Sequence, residues 1–177
     1  MPLFAKKGYS SVGMRELAAA LGIGCGSIYN HIESKEALLY EFFEELYELL
    51  YVKAMKLQKR NAGPALLHAI VAMHMQLHES MPWHFQVVES EWRHLSEPLQ
   101  QQAGRLRQRY ESIIASGLGC VPGRQNCASS IVSLLNQSPV WLRGVAPSTS
   151  AQVEMVRSII AVMLGQVSEC PCWPCSR

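Results

Sequence analysis

Charged side chains are scarce in this chain of 177 residues, and long apolar runs are missing from it. Asp, Glu, Lys and Arg together make up 17% of the residues, whereas hydrophobic residues make up 49%. No segment reaches the roughly 18 consecutive apolar residues of a membrane span, and the N-terminus lacks the charged-then-apolar order of a secretory signal. We therefore expect a cytoplasmic protein without a membrane partner, with some apolar surface turned toward a ligand or another protein.

Motifs of catalysis and of metal binding are also missing. The chain has no nucleophile elbow, no phosphate-binding loop and no paired carboxylates with a matching base, so we expect it not to be an enzyme. Its six cysteines are expected to be thiols, because disulfides are rare in a reducing compartment. His74 and His78 have the spacing of metal ligands but no acidic third ligand nearby, so neither a metal nor another cofactor is predicted.

Glycine and proline residues divide the chain into helical segments, and neither a strand pattern nor an internal repeat is found. The first predicted helices are a stub from Leu3 to Lys7 and a helix from Met14 to Leu21, closed by a left-handed Gly22. The later ones are expected over residues 25–32, 35–60, 65–79, 83–95, 97–116, 125–143 and 151–167. The predicted class is therefore all-α, with about nine helices.

The segment from Leu17 to Ile28 meets the demands of a helix-turn-helix. Two short helices that cross closely need a small residue at the crossing, a glycine in the turn and apolar inner faces. The residues that fit are Leu17, Ala18, Leu21, Gly22, Ile23 and Ile28. An ordinary helical hairpin is the alternative, and the net charge of +2 does not decide between them. We favour a three-helix helix-turn-helix head on a C-terminal helical bundle.

Five short stretches of this head form a sequence signature: Gly8–Tyr9, Met14–Ala18, Leu21–Ile23, Gly26–Ile32 and Ser34–Leu38. The signature resembles the DNA-binding segment of the TetR/AcrR family of transcription regulators. The resemblance implies a helix-turn-helix DNA-binding domain over residues 1–47 and a ligand-binding and dimerisation domain over residues 48–167. Residues 168–177 would form an irregular cysteine-rich tail.

The resemblance also implies which residues of the head contact DNA. The third helix would enter the major groove, with base edges read at its N-terminal end by Gly24, Cys25 and Gly26. Phosphate contacts are implied for Ser27, Tyr29, His31 and Lys35. Arg15 is the best single candidate for a guanine or phosphate contact. Packing beneath the turn is the alternative for Tyr29, and a tyrosine can do both.

Two stretches of the C-terminal part, Val88–Leu95 and Arg105–Glu111, look like bodies of that family that sense acyl-coenzyme A or other lipid-derived ligands. We expect a pocket for a small-molecule effector between the helices predicted over residues 65–79, 83–95 and 97–116. Its candidate lining is Met73, Leu77, Phe85, Val88, Glu89, Trp92, Leu106 and Tyr110. Plain core packing is the alternative for each of these residues.

The last two predicted helices are strongly apolar and must hide their faces. In the family these helices pair with their copies in a four-helix dimer interface, and a two-fold dimer would bring two heads to a palindrome. The candidate interface residues are Leu134, Leu135, Trp141, Val156, Ile159, Ile160 and Met163.

These features predict a ligand-responsive regulator of transcription. It would bind a palindromic operator in double-stranded DNA as a homodimeric repressor, and a small apolar or acyl-type effector would release it. One alternative is a dimerising family member whose DNA binding is impaired by a shortened first helix. Another is a redox- or metal-responsive regulator that uses the tail thiols of Cys170, Cys172 and Cys175.

Overall fold

Helices account for all the regular structure in the described part of the chain. The computed structural model describes residues 3–24, 26–30, 32–142, 144–146 and 148–165. Within these ranges lie α1 (Leu3–Lys7), α2 (Met14–Leu21), a 3₁₀ helix (Ser27–Asn30), α3 (Lys35–Gln58), α4 (Gly63–Ser80), α5 (Pro82–Ser90), a second 3₁₀ helix (Trp92–His94), α6 (Glu97–Gly117), α7 (Arg124–Leu142) and α8 (Thr149–Gly165). The predicted all-α class is confirmed, and the predicted number of helices is close to the observed one. None of the described helices is long and apolar enough to cross a membrane.

The element predicted as an α-helix over residues 25–32 is shorter than expected. The structure has a 3₁₀ helix over Ser27–Asn30, and the Ser27 N–H donates to the Gly24 carbonyl at 2.9 Å. Glycine, serine, tyrosine and asparagine are all weaker helix formers than alanine or leucine. The segment therefore contains too few good helix formers to extend into a regular α-helix.

The chain divides into two compact units. The first comprises Met1–Tyr47 and Met81–Leu106, and the second comprises Glu48–Ser80 and Arg107–Arg177, described as far as Gly165. The limits of the units fall inside α3 and α6, so both helices contribute residues to each unit. The first unit thus contains the expected helix-turn-helix head together with a later segment of the chain.

The helix-turn-helix of the first unit is built around a small apolar core. Leu17 and Ala18 of α2 and Ile28 of the 3₁₀ helix are almost completely buried, as the close crossing of two short helices requires. Phe4 of α1 packs edge-on against Phe42 of α3, with the ring centroids 6.0 Å apart. Helix α1 also packs against α5, which makes residues 81–106 part of the same core.

Two local devices set the ends of the helices in the head. Gly22 has φ 69°, and it closes α2 by donating its N–H to the Ala19 carbonyl at 3.1 Å. The Ile23 N–H donates to the Ala18 carbonyl at 3.0 Å, which completes the paired bonds of a glycine-terminated helix. Ser34 caps α3, because its Oγ accepts the N–H of Ala37 at 2.9 Å. The end of α2 at Gly22 agrees with the sequence prediction.

In the second unit, helices α4, α7 and α8 pack against one another. Their buried apolar residues include Leu66, Ile70, Val71, Met75, Ile131, Val132, Leu135, Val156 and Ile160. Gly117 at the end of α6 comes so close to Leu67 that an added Cβ would lie 3.0 Å from its Cδ2. A larger residue there would push Leu67 out of place.

We predict that Gly22→Ala destabilises the head, whereas Gly26→Ala does not. Both glycines have open space around an added Cβ, but of the two only Gly22 has a positive φ. A left-handed alanine costs about 1–2 kcal/mol relative to its preferred backbone. Urea unfolding followed by circular dichroism should show that loss for Gly22→Ala. Equal stability of the two variants would contradict the assigned cap.

Candidate functional site

The exposed surface of the helix-turn-helix is defined by one buried residue. Ile28 is buried, whereas Gly24, Gly26 and Ser27 around it are exposed. Tyr29 is 62% exposed, so its ring lies at the surface instead of packing beneath the turn. Side chains of this 3₁₀ helix therefore project into solvent on the side away from the core of the head.

Helix α2 carries the second part of this surface. Arg15 is exposed on α2, one residue before Glu16, which forms an ion pair with Lys7 of α1. The Lys7–Glu16 pair ties the end of α1 to the first turn of α2. As a result, Arg15 stands on a helix whose first turn is tied to its neighbour.

Lys35, at the first residue of α3, is held over an aromatic ring. Its Nζ lies 4.0 Å from the centroid of Tyr9, within the range of a cation–π contact. Partial burial lowers the pKa of Lys35, and the nearby Glu91 carboxylate opposes that shift. The Tyr9 ring in turn stacks on His94, with the centroids 5.1 Å apart. Lys35 is thus a positioned cation rather than a freely moving one.

The segment from Glu91 to Ser96 contacts residues next to Lys35 and Tyr9 in the first unit. The Ser96 N–H donates to the Glu36 carboxylate, and this bond lowers the pKa of Glu36. His94 Nε2 lies 3.4 Å from Glu91 Oε2 and 3.5 Å from Ser10 Oγ. These contacts join the segment to Ser10, next to Tyr9, and to Glu36 in the first turn of α3.

The predicted effector-pocket residues belong to both units of the described structure. Met73, Leu77 and Tyr110 belong to the second unit, and the others belong to the first: Phe85, Val88, Glu89, Trp92 and Leu106. Leu77, Phe85, Val88 and Tyr110 are buried, Met73, Glu89 and Leu106 are half-buried, and Trp92 is exposed. None of them lines the cavity described below, which lies within the second unit. Their role in ligand binding stays a prediction.

Tyr110 belongs to a buried polar cluster in the second unit. Its Oη lies 3.0 Å from His74 Nδ1, and the rings of His74 and His78 are 5.6 Å apart. Burial, with a smaller effect from His78, holds the pKa of His74 well below its usual value, and a hydrogen bond with Asn136 opposes the shift. His74 is therefore neutral near pH 7.

The predicted dimer residues divide into inner and outer sets. Leu135, Val156 and Ile160 are buried inside this protomer, and Leu134 and Ile159 are half-buried. Trp141 and Met163 are exposed. The same part of the chain exposes three valines that the prediction omitted: Val140 at 65%, Val145 at 66% and Val162 at 61%. Exposed apolar side chains therefore lie at the end of α7, just after it, and near the end of α8.

Comparison with known proteins agrees with this geometry. The family model described as "Bacterial regulatory proteins, tetR family" matches residues 1–42. The head belongs to the tetR family. The HTH-type transcriptional repressor DhaR of Mycobacterium sp. (strain GP1) is 44% identical over 48 residues, which are 25% of this chain and 24% of DhaR. The chain covers no more than 24% of the curated relatives that it matches.

The likeness in fold extends beyond the tetR-family head. The structure of PfmR from Thermus thermophilus, a TetR family transcriptional regulator, superposes with a TM-score of 0.77 and 24% identity, covering 92% of this chain and 93% of PfmR. AibR, solved in complex with isovaleryl coenzyme A and operator DNA, gives a TM-score of 0.70 and 19% identity over 93% and 91% of the two chains. The fold of the whole described chain is therefore the tetR-family fold.

Some predicted residues lie outside the described part of the chain. Other residues, which hold Lys35 in place, were not predicted. Cys25 and His31, and the tail thiols of Cys170, Cys172 and Cys175, are outside the described ranges. Tyr9 was part of the matching signature but received no role. Glu91 and His94 gave no local signal, because their partners in the head lie far away in sequence. Only the folded arrangement reveals them.

We predict that acid weakens the second unit of this tetR-family fold through His74. Its pKa in the folded protein lies below the ordinary value of 6.5, so the unfolded chain binds the proton first. The free energy of unfolding should then fall as the pH drops below about 6.5, with a slope of up to about 1.4 kcal/mol per pH unit.

Urea unfolding between pH 5 and 8 measures this slope. His74→Gln should reduce this slope, because it removes the buried imidazole that titrates differently in the folded and unfolded chain. An unchanged slope in His74→Gln would exclude His74 as its source.

Proposed function

We propose that this chain is a DNA-binding regulator of transcription that acts as a homodimeric repressor on a palindromic operator and leaves it when a small apolar or acyl-type effector binds. The observation that carries the proposal is the tetR-type head with an outward-facing Ser27–Asn30 turn above a buried Ile28. Such a head matches the size of a major groove, which admits one helical element.

Phosphate contacts would provide most of the affinity. Lys35 presents a positioned ammonium at the N-terminus of α3, where the helix dipole also favours an anion. Ser27 and Tyr29 add exposed hydroxyls on the neighbouring 3₁₀ helix, and hydroxyl groups commonly donate to phosphate oxygens. These groups would fix the register of the head on the duplex.

Base recognition would depend on few side chains. Gly24 and Gly26 offer only backbone groups, so the exposed Arg15 is the strongest described candidate for a bidentate contact with guanine. Sequence-dependent DNA shape would then supply part of the specificity. The names of DhaR, a repressor, and of AibR, solved with a coenzyme A thioester and operator DNA, support a repressor with an acyl-type effector.

A second copy of the chain is the proposed partner of the exposed apolar side chains on α7 and α8. Val140, Trp141, Val162 and Met163 are exposed there, and apolar side chains so arranged favour burial against a partner. A two-fold axis through this surface would present two equivalent heads to the two halves of a palindrome.

We predict that Lys35→Ala weakens DNA binding and lowers its salt dependence. A homodimer would lose one phosphate contact from each head, so the slope of log K against log salt should fall by about two. Fluorescence anisotropy with the DNA upstream of the coding region measures both quantities. The matched control is Lys59→Ala, which removes an exposed lysine beyond the end of α3 in the second unit.

Lys59→Ala should bind like the unaltered protein. Equal affinity and slope for Lys35→Ala and Lys59→Ala would contradict the proposed phosphate contact. Absence of specific binding by the unaltered dimer would favour the alternative of a family member with impaired DNA binding.

We predict that Val162→Asp separates the dimer. The substitution would bury a carboxylate from each copy near the proposed two-fold axis, which is strongly unfavourable. Light scattering coupled to size exclusion should give twice the chain mass for the unaltered protein and 19.8 kDa for the variant. The control Val52→Asp changes an exposed valine on α3 and should stay dimeric. A dimeric Val162→Asp would place the interface elsewhere.

A further inference from the structure

A cavity of about 320 Å³ opens in the second unit beside α4 and α8. Its walls are mainly apolar and include Leu67 and Val71 of α4, Leu118 just after α6, and Ile160 of α8. All four of these side chains are buried. A hydrocarbon group placed here would exchange contact with water for contact with the walls, which is the main source of affinity in such sites.

Two polar side chains of the lining form a connected pair. Arg157 Nη2 lies 2.9 Å from His68 Nδ1. A guanidinium can only donate hydrogen bonds, so His68 Nδ1 must accept and the ring proton must lie on Nε2. The polar part of the lining therefore offers further guanidinium N–H groups and one imidazole N–H. These donors favour an acceptor, and the charge of Arg157 favours an anion.

The ion pair between Arg157 and Glu154 does not prevent Arg157 from binding an anion in the cavity. Arg157 Nη1 donates to Glu154 Oε1 at 2.6 Å, but the Glu154 side chain is largely exposed. An ion pair on such a surface contributes little, because water and salt screen it. Glu154 also lies outside the lining of the cavity. An anion entering from the cavity could therefore bind Arg157 without having to break a strong interaction.

The volume limits the size of the ligand. Water occupies about 30 Å³ per molecule in the liquid, so the cavity corresponds to roughly ten to fifteen non-hydrogen atoms. That size suits a hydrocarbon chain of about eight to twelve carbons with a small head group. The coenzyme A part of a thioester is several times larger than this cavity.

We propose that this cavity binds a medium-chain carboxylic acid, with the carboxylate on Arg157 and the hydrocarbon chain against Leu67, Val71 and Ile160. Describing this ligand as the effector rests on the proposed function, whereas the binding site does not. Helix α8 connects the cavity to the proposed dimer surface. Ile160 faces the cavity, and Val162, two residues later and nearly opposite on the helix, lies on the proposed dimer surface.

Calorimetry of the full chain with octanoate and octan-1-ol tests the site. Octanoate should bind once per chain. Arg157→Gln should weaken octanoate binding by roughly tenfold or more, because a charge-assisted hydrogen bond is lost, and should leave octan-1-ol binding unchanged. Ala161→Phe, on the cavity wall, should abolish binding of both compounds. Arg124→Gln, which changes an exposed arginine at the start of α7, is the control and should bind like the unaltered protein.

Failure of octanoate to bind, or equal binding by the unaltered protein, Arg157→Gln and Ala161→Phe, would overturn the site. Circular dichroism checks that each variant is folded, and Arg157→Gln alone remains decisive if Ala161→Phe is not. Because this titration contains no DNA, a chain that binds octanoate but no operator would keep the site and contradict the proposed function. Octanoate that binds without changing operator affinity would overturn its role as effector.

Discussion

Burial of Ile28 determines which side of the helix-turn-helix faces outward, and the proposed DNA surface depends on it. Ile28 packs with Leu17 and Ala18 in the core of the head, and burying an isoleucine contributes about 1.5–3 kcal/mol. Because Ile28 points inward, Ser27 and Tyr29 on either side of it are exposed. Gly22 makes this packing possible, since its left-handed backbone ends α2 and turns the chain back toward the core.

The proposed attraction of the head for DNA depends on a few positioned charges and not on the net charge of the chain. A net charge of +2 gives the whole chain only a weak attraction for DNA. Tyr9 holds the Lys35 ammonium at the N-terminus of α3, so less side-chain entropy would be lost in the proposed contact with a phosphate. His94 stacks on Tyr9, and Ser96 binds Glu36, so the segment over residues 91–96 supports the same corner. A protein with few charges can bind DNA in this way if those charges are held in place.

Local patterns in the sequence were sufficient to predict the helices and most of the structure of the head. Gly22 and Ser34 could be predicted because glycine and serine act on the backbone within a few residues. The prediction for Ser27–Asn30 was wrong in type, because these residues are mostly weak helix formers and adopt a 3₁₀ helix instead of an α-helix. Contacts such as Tyr9 with His94, or His68 with Arg157, join residues far apart in the chain and leave no periodic signal. For the same reason apolar periodicity in α8 marked Ile160 and Met163 alike, although one is buried and the other exposed.

In the proposed complex, two such heads related by a two-fold axis bind successive major grooves of one operator. Hydroxyl-radical footprinting of the unaltered protein on the DNA upstream of its coding region tests this most directly. We expect two equivalent protected patches on one face of the duplex, centred about one helical turn or a whole multiple of it apart. A single protected patch, or protection without two-fold symmetry from a protein that is dimeric in solution, would contradict it.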